Sequence, residues 1–279
     1  MIKHFVPSSL IEAFDILATH DCYIMAGGTD LMLQKHRSSG LLPNFDKDVL
    51  YIANLGELNY IDKCDDHISI GASTKYVDIL KSDLVPALLK EVILDIASPN
   101  IRNMATLVGN VANASPAGDA IVPLYLFDAY VVLGKKDGIR KVLVKDFIKG
   151  VRKIDRQPDE LIIAIEIPLI DLETKWVKVG SRAAESISKI SFAGAYKLDK
   201  GIISDFRIAF GSVATTVKRD REIENKYIGL SLDEFKNRID EIVKDYGNLI
   251  SPIDDHRSTK DYRHKVAMNL LKDFIRNMK

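Results

Sequence analysis

The chain has 279 residues, 47% of them hydrophobic and 28% charged, which excludes a disordered or fibrous protein and implies two domains, or one large domain with a subdomain. Thirty-nine basic residues balance thirty-nine acidic ones, and that neutrality argues against nucleic acid as the main partner. Residues 1–7 have no apolar signal-peptide core, and the longest apolar run, 120–133, is broken by Pro123 and Asp128 and is too short to cross a bilayer. The expectation is a cytoplasmic protein with no membrane segment. Its only cysteines, Cys22 and Cys64, cannot ligate a four-cysteine iron–sulfur cluster and read as reduced, buried thiols.

In chain order, Ser9-Leu10-Ile11-Glu12 has capping-box spacing, and Leu10, Ala13, Phe14 and Leu17 recur at helical intervals up to a stop near His20. A strand over Tyr23–Met25 leads into Gly27-Gly28, the polar pair Thr29-Asp30 and a short helix from Leu31 to Lys35. A second strand follows over Val49–Ile52, and this order predicts a small parallel layer. Ile61–Cys64 and His67–Ile70 flank Asp65-Asp66 as a hairpin. Thr74 is placed to cap a helix running through Leu80, and a longer apolar helix is predicted from Val85 to Ala97. Tyr130–Leu133 and Ile139–Val144 form another hairpin, and Leu161–Ile167 is an apolar strand stopped by Pro168. Beyond a polar stretch at Asp171–Thr174 come three antiparallel strands, Lys175–Val179, Ile190–Leu198 and Ile202–Phe210, the last two joined by Asp199-Lys200-Gly201. Two amphipathic helices close the chain, one capped at Ser231 with Glu234 in the box, the other running from Ser258 towards Met278.

Two stretches ask for a chemical explanation. The first is Ile24-Met25-Ala26-Gly27-Gly28-Thr29-Asp30-Leu31, a strand, a glycine turn and a helix start that would expose backbone amides suited to a pyrophosphate. As a Gly-Gly pair alone it is also an ordinary tight turn, and it matches neither G-x-G-x-x-G nor the P-loop pattern. The second runs from Ala105 to Asp119 and is built almost wholly of small residues. It reads as a loop of accessible backbone that opens a helix at Asp119, with Asp119 as N-cap, ligand or both. The six histidines show no metal spacing, and Ser115 lacks the context of a hydrolase nucleophile.

Ala26-Gly27-Gly28-Thr29-Asp30-Leu31, followed by Thr106-Leu107-Val108-Gly109-Asn110-Val111-Ala112-Asn113-Ala114-Ser115-Pro116-Ala117-Gly118-Asp119, resembles the FAD-binding medium subunits of the molybdenum hydroxylases, the family of xanthine dehydrogenase and aerobic carbon monoxide dehydrogenase. Arg102-Asn103, the strand from Asp159 to Pro168, Phe210-Gly211-Ser212-Val213-Ala214 with Arg219, and Asp255-His256-Arg257 with Tyr262-Arg263 extend the resemblance over essentially the whole chain. One position departs from it: the family's usual Thr-x-Gly-Gly-Asn has valine, Val108, in place of its first glycine. A valine there would be strained if the position required positive φ.

The resemblance implies an α+β chain with the FAD-binding fold of the vanillyl-alcohol oxidase type, in which two α/β subdomains clasp FAD, followed by a C-terminal domain with a small antiparallel sheet and helices. The expected division is 1–172 for the FAD-binding domain, itself split into 1–55 and 56–172, and 173–279 for the C-terminal domain. Residues Ile24, Met25, Ala26, Gly27, Gly28, Thr29, Asp30 and Leu31 would cradle the pyrophosphate. Ala105, Thr106, Gly109, Asn110, Ala112, Asn113, Gly118 and Asp119 would line the rest of the cofactor, with Asp119 on ribose hydroxyls. Leu161 and Ile162 would pack on the isoalloxazine ring, being core residues in any case. Lys178 matches a family lysine near the flavin, although its alternation with Val177 and Val179 equally describes a solvated strand face. The implied role is electron transfer from the [2Fe-2S] clusters of a small subunit, through FAD, to NAD or another acceptor. A molybdopterin-binding large subunit would oxidise the substrate in a dimer of heterotrimers. Two other readings stand beside it: a stand-alone flavin enzyme, which would need a substrate domain of its own, and a scaffold subunit that has lost flavin, which Val108 favours.

Overall fold

The computed structural model describes residues 2–279. Its N-terminal layer is a parallel sheet of three short strands, β1 (His4–Phe5), β2 (Cys22–Met25) and β3 (Asp48–Tyr51), in the order β1-β3-β2. Helix α1 (Leu10–Leu17) crosses from β1 to β2, and α2 (Leu31–Gln34) follows the glycine turn. The Ser9 hydroxyl accepts from the Glu12 amide, as the capping spacing requires, but Glu12 turns its carboxylate to the amide and hydroxyl of Ser8 instead of completing a reciprocal box.

The second layer is a five-stranded antiparallel sheet in the order β4-β5-β10-β6-β7. It is built from β4 (Ile61–Lys63), β5 (His67–Gly71), β6 (Tyr130–Lys135), β7 (Gly138–Leu143) and β10 (Leu161–Pro168), with the small hairpin β8 (Ile148–Gly150) and β9 (Lys153–Ile154) beside it. Between β5 and β6 lie α3 (Tyr76–Lys81), α4 (Ala87–Leu94), α5 (Pro99–Arg102), α6 (Leu107–Asn113) and α7 (Ile121–Leu126), and α8 (Val144–Phe147) follows β7. Ile68, Ile70, Val131, Leu133, Leu161 and Ile165 bury one continuous core with Leu88, Leu89, Val92 and Ile93 of α4 and Leu107 and Val111 of α6.

Several local expectations are corrected here. Thr74 does not cap α3, whose N-cap is Lys75; its hydroxyl instead donates to the Tyr60 carbonyl and accepts the Tyr60 amide, tying two loops together. The helix predicted over 85–97 is shorter, because Ala97 adopts a left-handed conformation (φ 46°) that an α-helix does not allow. The small-residue stretch is not all loop: its first half is α6. Asp119 is not the cap of α7, which begins after Ala120 with no side-chain cap. Cys22 is buried, but Cys64 lies exposed at the tip of the β4–β5 hairpin.

The C-terminal layer is the antiparallel sheet β11 (Glu173–Val179), β12 (Ile190–Asp199) and β13 (Ile202–Gly211). Lys200 and Gly201 have φ of 50° and 83°, the left-handed pair that a two-residue hairpin needs. Alternate residues of this sheet face two different cores. Ala193, Ala195 and Ala209 join the core of the first two layers, and their small side chains let α7 lie close on the sheet. Phe192, Phe206, Ile208 and Phe210 point the other way, under α9 (Arg221–Asn225), α10 (Leu232–Asn237), α11 (Ile239–Leu249) and α12 (Lys260–Asn277). The expected pair of closing helices is thus four. The Ser231–Glu234 capping box is present, and Thr259, one residue after the expected Ser258, caps α12. Among the described residues no helix is long and apolar enough to cross a membrane.

Candidate functional site: two glycine-rich segments and a buried ion pair

The chain leaves the parallel sheet at Met25, whose carbonyl accepts the Ile52 amide at 2.9 Å. It then reverses at Gly28, where φ is +68°, and enters α2 with Met32 donating to the Gly28 carbonyl at 2.9 Å. In between, the amides of Gly27, Gly28, Thr29 and Asp30 have no backbone acceptor among the described residues. Backbone donors are rarely left unpaired, so this row is open to an acceptor from outside the chain. Met25 is buried beside Phe45 and Val49, whereas Ile24, Ala26, Thr29 and Leu31 are half-buried. The Asp30 carboxylate accepts from Gln34 Nε2, which also donates to Asn113 Oδ1 at 3.1 Å and so links α2 to the second segment.

That second segment packs directly on the first. A Cβ at Gly27 would stand 2.0 Å from the Met104 carbonyl oxygen and 3.1 Å from the Ala105 Cα, so only glycine admits this approach. Ala105 accepts the Tyr76 amide at 2.9 Å, and Thr106 caps α6 by accepting the Gly109 amide at 2.9 Å. Gly109 is exposed, Ala112 and Asn113 are half-buried, and α6 ends at left-handed Ala114 (φ 46°). Val108 occupies the second position of α6 with ordinary negative φ, its side chain 5% exposed within the core. The strain expected of a valine there does not arise. Gly118 closes the segment: a Cβ on it would be 3.0 Å from Asn110 Oδ1, and that oxygen is buried with no partner.

Asp119 and Lys178, far apart in sequence, form a buried ion pair at 2.9 Å, their side chains 6% and 9% exposed. Asp119 also accepts the Ser188 hydroxyl at 2.6 Å, and Lys178 donates to the Asp95 carbonyl at 2.7 Å. Trp176, two residues before Lys178 on β11, donates its indole N–H to the Asp95 carboxylate at 2.8 Å. The solvated-face reading of Lys178 is therefore wrong. Its ammonium points inward because β11 turns that face onto the α4–α5 turn and the Gly118–Asp119 segment. Tyr76 is fully buried nearby; its hydroxyl has no partner, and burial, followed by the Asp119 charge, pushes its ionisation up. Leu161 and Ile162 lie in the core, 1% and 4% exposed, which leaves little of either to a ring. Asp95, Trp176, Ser188 and Tyr76 escaped the sequence reading, because no local pattern links them.

Other features do not compete. A cavity of about 250 Å³ at the Pro168 end of β10 is lined by Asp66, His67, Tyr130, Lys141 and Glu166, and its charges satisfy one another through Asp66–His67 at 2.6 Å and Lys141–Glu166 at 2.7 Å. Among the described residues no group of three or more His, Cys, Asp or Glu is placed to hold a metal.

An α+β chain whose free amides and close-packed glycines converge in this way is a nucleotide-cofactor protein in design. Residues 1–170 match the family described as the FAD binding domain in molybdopterin dehydrogenase, and residues 175–278 match the CO dehydrogenase flavoprotein C-terminal domain. The chain belongs to the family of FAD-binding medium subunits of the molybdenum hydroxylases, and FAD is its cofactor. It is 34% identical to the glyceraldehyde dehydrogenase medium chain of Sulfolobus acidocaldarius, over 93% of this chain and 92% of that one. It is 28% identical to the xanthine dehydrogenase FAD-binding subunit of Escherichia coli O157:H7, over 96% and 92%. Among solved structures, a chain of reconstituted CO dehydrogenase from Oligotropha carboxidovorans superposes with a TM-score of 0.87 at 25% identity, covering 98% of this chain and 96% of that one. The residues present fit the cofactor: the amides of residues 27–30 form a free row suited to a pyrophosphate, and Gly27 lets the Met104–Ala105 backbone seat the second segment directly beside them.

Proposed function

We propose that this chain is the electron-transfer subunit of a molybdenum-containing hydroxylase or dehydrogenase complex, passing electrons from the [2Fe-2S] clusters of a small partner subunit, through FAD, to NAD or another acceptor. The observation that carries this reading is the seat of Gly27 against Met104 and Ala105, which sets the free amides of residues 27–30 beside the Thr106–Asp119 segment. Bound FAD supplies the redox chemistry; the protein supplies binding, orientation and electrostatics. In this reading the amides of residues 27–30 neutralise pyrophosphate oxygens, with Ile24 to Leu31 as their frame. Thr106, Gly109, Asn110, Asn113 and Gly118 line the continuation, and Asp119 offers its remaining lone pairs to ribose hydroxyls. Lys178 brings a positive charge towards the flavin end. The FAD-binding domain ends at residue 172, and the partners are a molybdopterin-binding large subunit and the iron–sulfur subunit, in a cytoplasmic dimer of heterotrimers. The relatives support this by what they are called, medium chains and FAD-binding subunits of dehydrogenases.

The test is an absorbance spectrum of the purified chain, with the cofactor released and identified, followed by titration with NADH. Stoichiometric FAD bleached by NADH supports the reading. Failure of both the chain and its assembled complex to retain FAD would overturn it. The opposing reading, a scaffold that has lost flavin, rested on Val108, and the unstrained helical setting of that residue removes its basis.

A further inference from the structure

We propose that the Asp95 turn, braced by Arg102, is a positioning element that sets the Lys178 ammonium, and so tunes the cofactor bound beside it. The inference rests on the proposed function in one respect, that Lys178 faces the flavin. The rest is geometry. Helix α4 ends at Leu94, and Arg102 Nη1 binds three carbonyls around its end: Ile96 at 2.7 Å, Ala97 at 2.8 Å and Leu94 at 3.3 Å. The carbonyl between them, that of Asp95, is left for Lys178 at 2.7 Å. Two cations thus share one helix C-terminus, where unpaired carbonyls and the helix dipole favour positive charge. The turn places Ala97 in the left-handed region, φ 46°, which is unfavourable for a residue with a Cβ, and the Arg102 bonds to the carbonyls around it offset that cost.

The same turn grips the strand that carries Lys178. The Asp95 carboxylate accepts the Trp176 indole N–H at 2.8 Å, which fixes β11 two residues upstream of the lysine. Lys178 is therefore held from three sides: by the Asp95 carbonyl, by the Asp119 carboxylate, and by the register of its own strand. A lysine has a long, flexible stem and a point charge, so its position over a cofactor depends on such acceptors more than an arginine fork would. Arg102 and Trp176 touch neither Lys178 nor Asp119 by hydrogen bond. They act on the ammonium through Asp95, and are positioning residues.

The experiment uses the full-length FAD-loaded chain and reads the midpoint potential and visible spectrum of the bound flavin, with FAD affinity measured alongside. Lys178→Met reports what the ammonium contributes. Arg102→Met removes the brace but keeps the stem; Trp176→Phe removes only the indole N–H and is the milder variant should the first not fold. The expected result is that Lys178→Met shifts the potential downward, that Arg102→Met or Trp176→Phe shifts it in the same direction by less, and that neither adds to the shift of Lys178→Met in a double variant. FAD affinity should fall in Arg102→Met by less than in Lys178→Met, because Arg102 acts on the ammonium only through the Asp95 turn. Arg102→Lys, which restores a donor, should recover part of both. A potential moved by Lys178→Met but unmoved by Arg102→Met and Trp176→Phe overturns the positioning role. A potential unmoved by Lys178→Met overturns the placement of Lys178 at the flavin, and this proposal with it, while leaving FAD binding itself intact.

Discussion

Gly27 sits so close to Met104 that a single added methyl carbon would lie 2.0 Å from the Met104 carbonyl oxygen. Both neighbours there are backbone, so the clash cannot be relieved by a side-chain rotation. Gly27→Ala should therefore force the two glycine-rich segments apart, costing about 3 kcal/mol of stability and most of the bound FAD. Gly28→Ala is the control. Its difficulty is conformational, φ +68° with only the flexible side chains of Met25 at 3.3 Å and Met32 at 3.4 Å, and its cost should be about 1–2 kcal/mol. Denaturant melts and FAD content measured on both variants would check this; equal effects would mean the close approach to Met104 is not what constrains residue 27.

Val108→Gly places at position 108 the glycine that the sequence resemblance leads one to expect, and the structure predicts that it does harm. The side chain is 5% exposed in the core and its backbone is helical. Losing the burial and placing glycine in a helix should together cost about 2–3 kcal/mol, with no gain in FAD affinity. Tighter FAD binding by the glycine variant, seen in a fluorescence titration, would contradict it.

The Asp119–Lys178 pair should behave as a buried pair. Lys178→Met leaves a carboxylate that is 6% exposed without its counter-charge and is expected to destabilise the protein by about 3–5 kcal/mol. Ser188→Ala, which deletes a 2.6 Å hydrogen bond to the same carboxylate, should cost about 1.5–3 kcal/mol. Replacing both charged partners, Lys178→Met with Asp119→Leu, should recover part of the loss. A double-mutant cycle on urea midpoints reads the coupling, and strict additivity would deny the pair.

Acid should loosen the segment that follows the glycine turn. Lys35, then Tyr23, hold the Asp46 carboxyl down from 3.8 to about 2 by hydrogen bonding. A carboxyl with a depressed folded-state pKa contributes stability that is present above 3.8 and is lost as the pH falls towards 2. Asp46→Asn should lower stability above the window by that contribution and change little below it, so its stability falls less steeply as the pH drops from 3.8 towards 2. Stability against pH for the two proteins provides the comparison, and parallel curves down to the lower end would rule the contribution out.

Much of this fold was legible because its signals are local. The strands over 190–198 and 202–210, the Lys200-Gly201 turn, and the Ser231–Glu234 box are each set within a few residues, and the strands, turn and cap appear where they are expected. The errors share one cause. Val108, Gly109, Asn110, Val111 and Asn113 are poor helix formers, so tertiary packing decided that Leu107 and Val111 would join the core and that the first half of 105–119 would coil into α6. Thr74 and Asp119 carry good capping side chains, but each had a stronger partner elsewhere, the Tyr60 backbone for one and Lys178 with Ser188 for the other.

By itself, the sequence determined the family, the two glycine-rich segments and their order, because those depend on backbone freedom that only particular residues supply. Tertiary structure alone decided that the two segments meet at Gly27 and Met104, that Val108 is helical, and that Lys178 faces inward to Asp119. A charge on an alternating strand is compatible with either face until another layer covers one of them. Here the layer that covers it is α4 with its terminal turn, and the Asp95 carbonyl of that turn together with the Asp119 carboxylate makes burial of the charge tolerable.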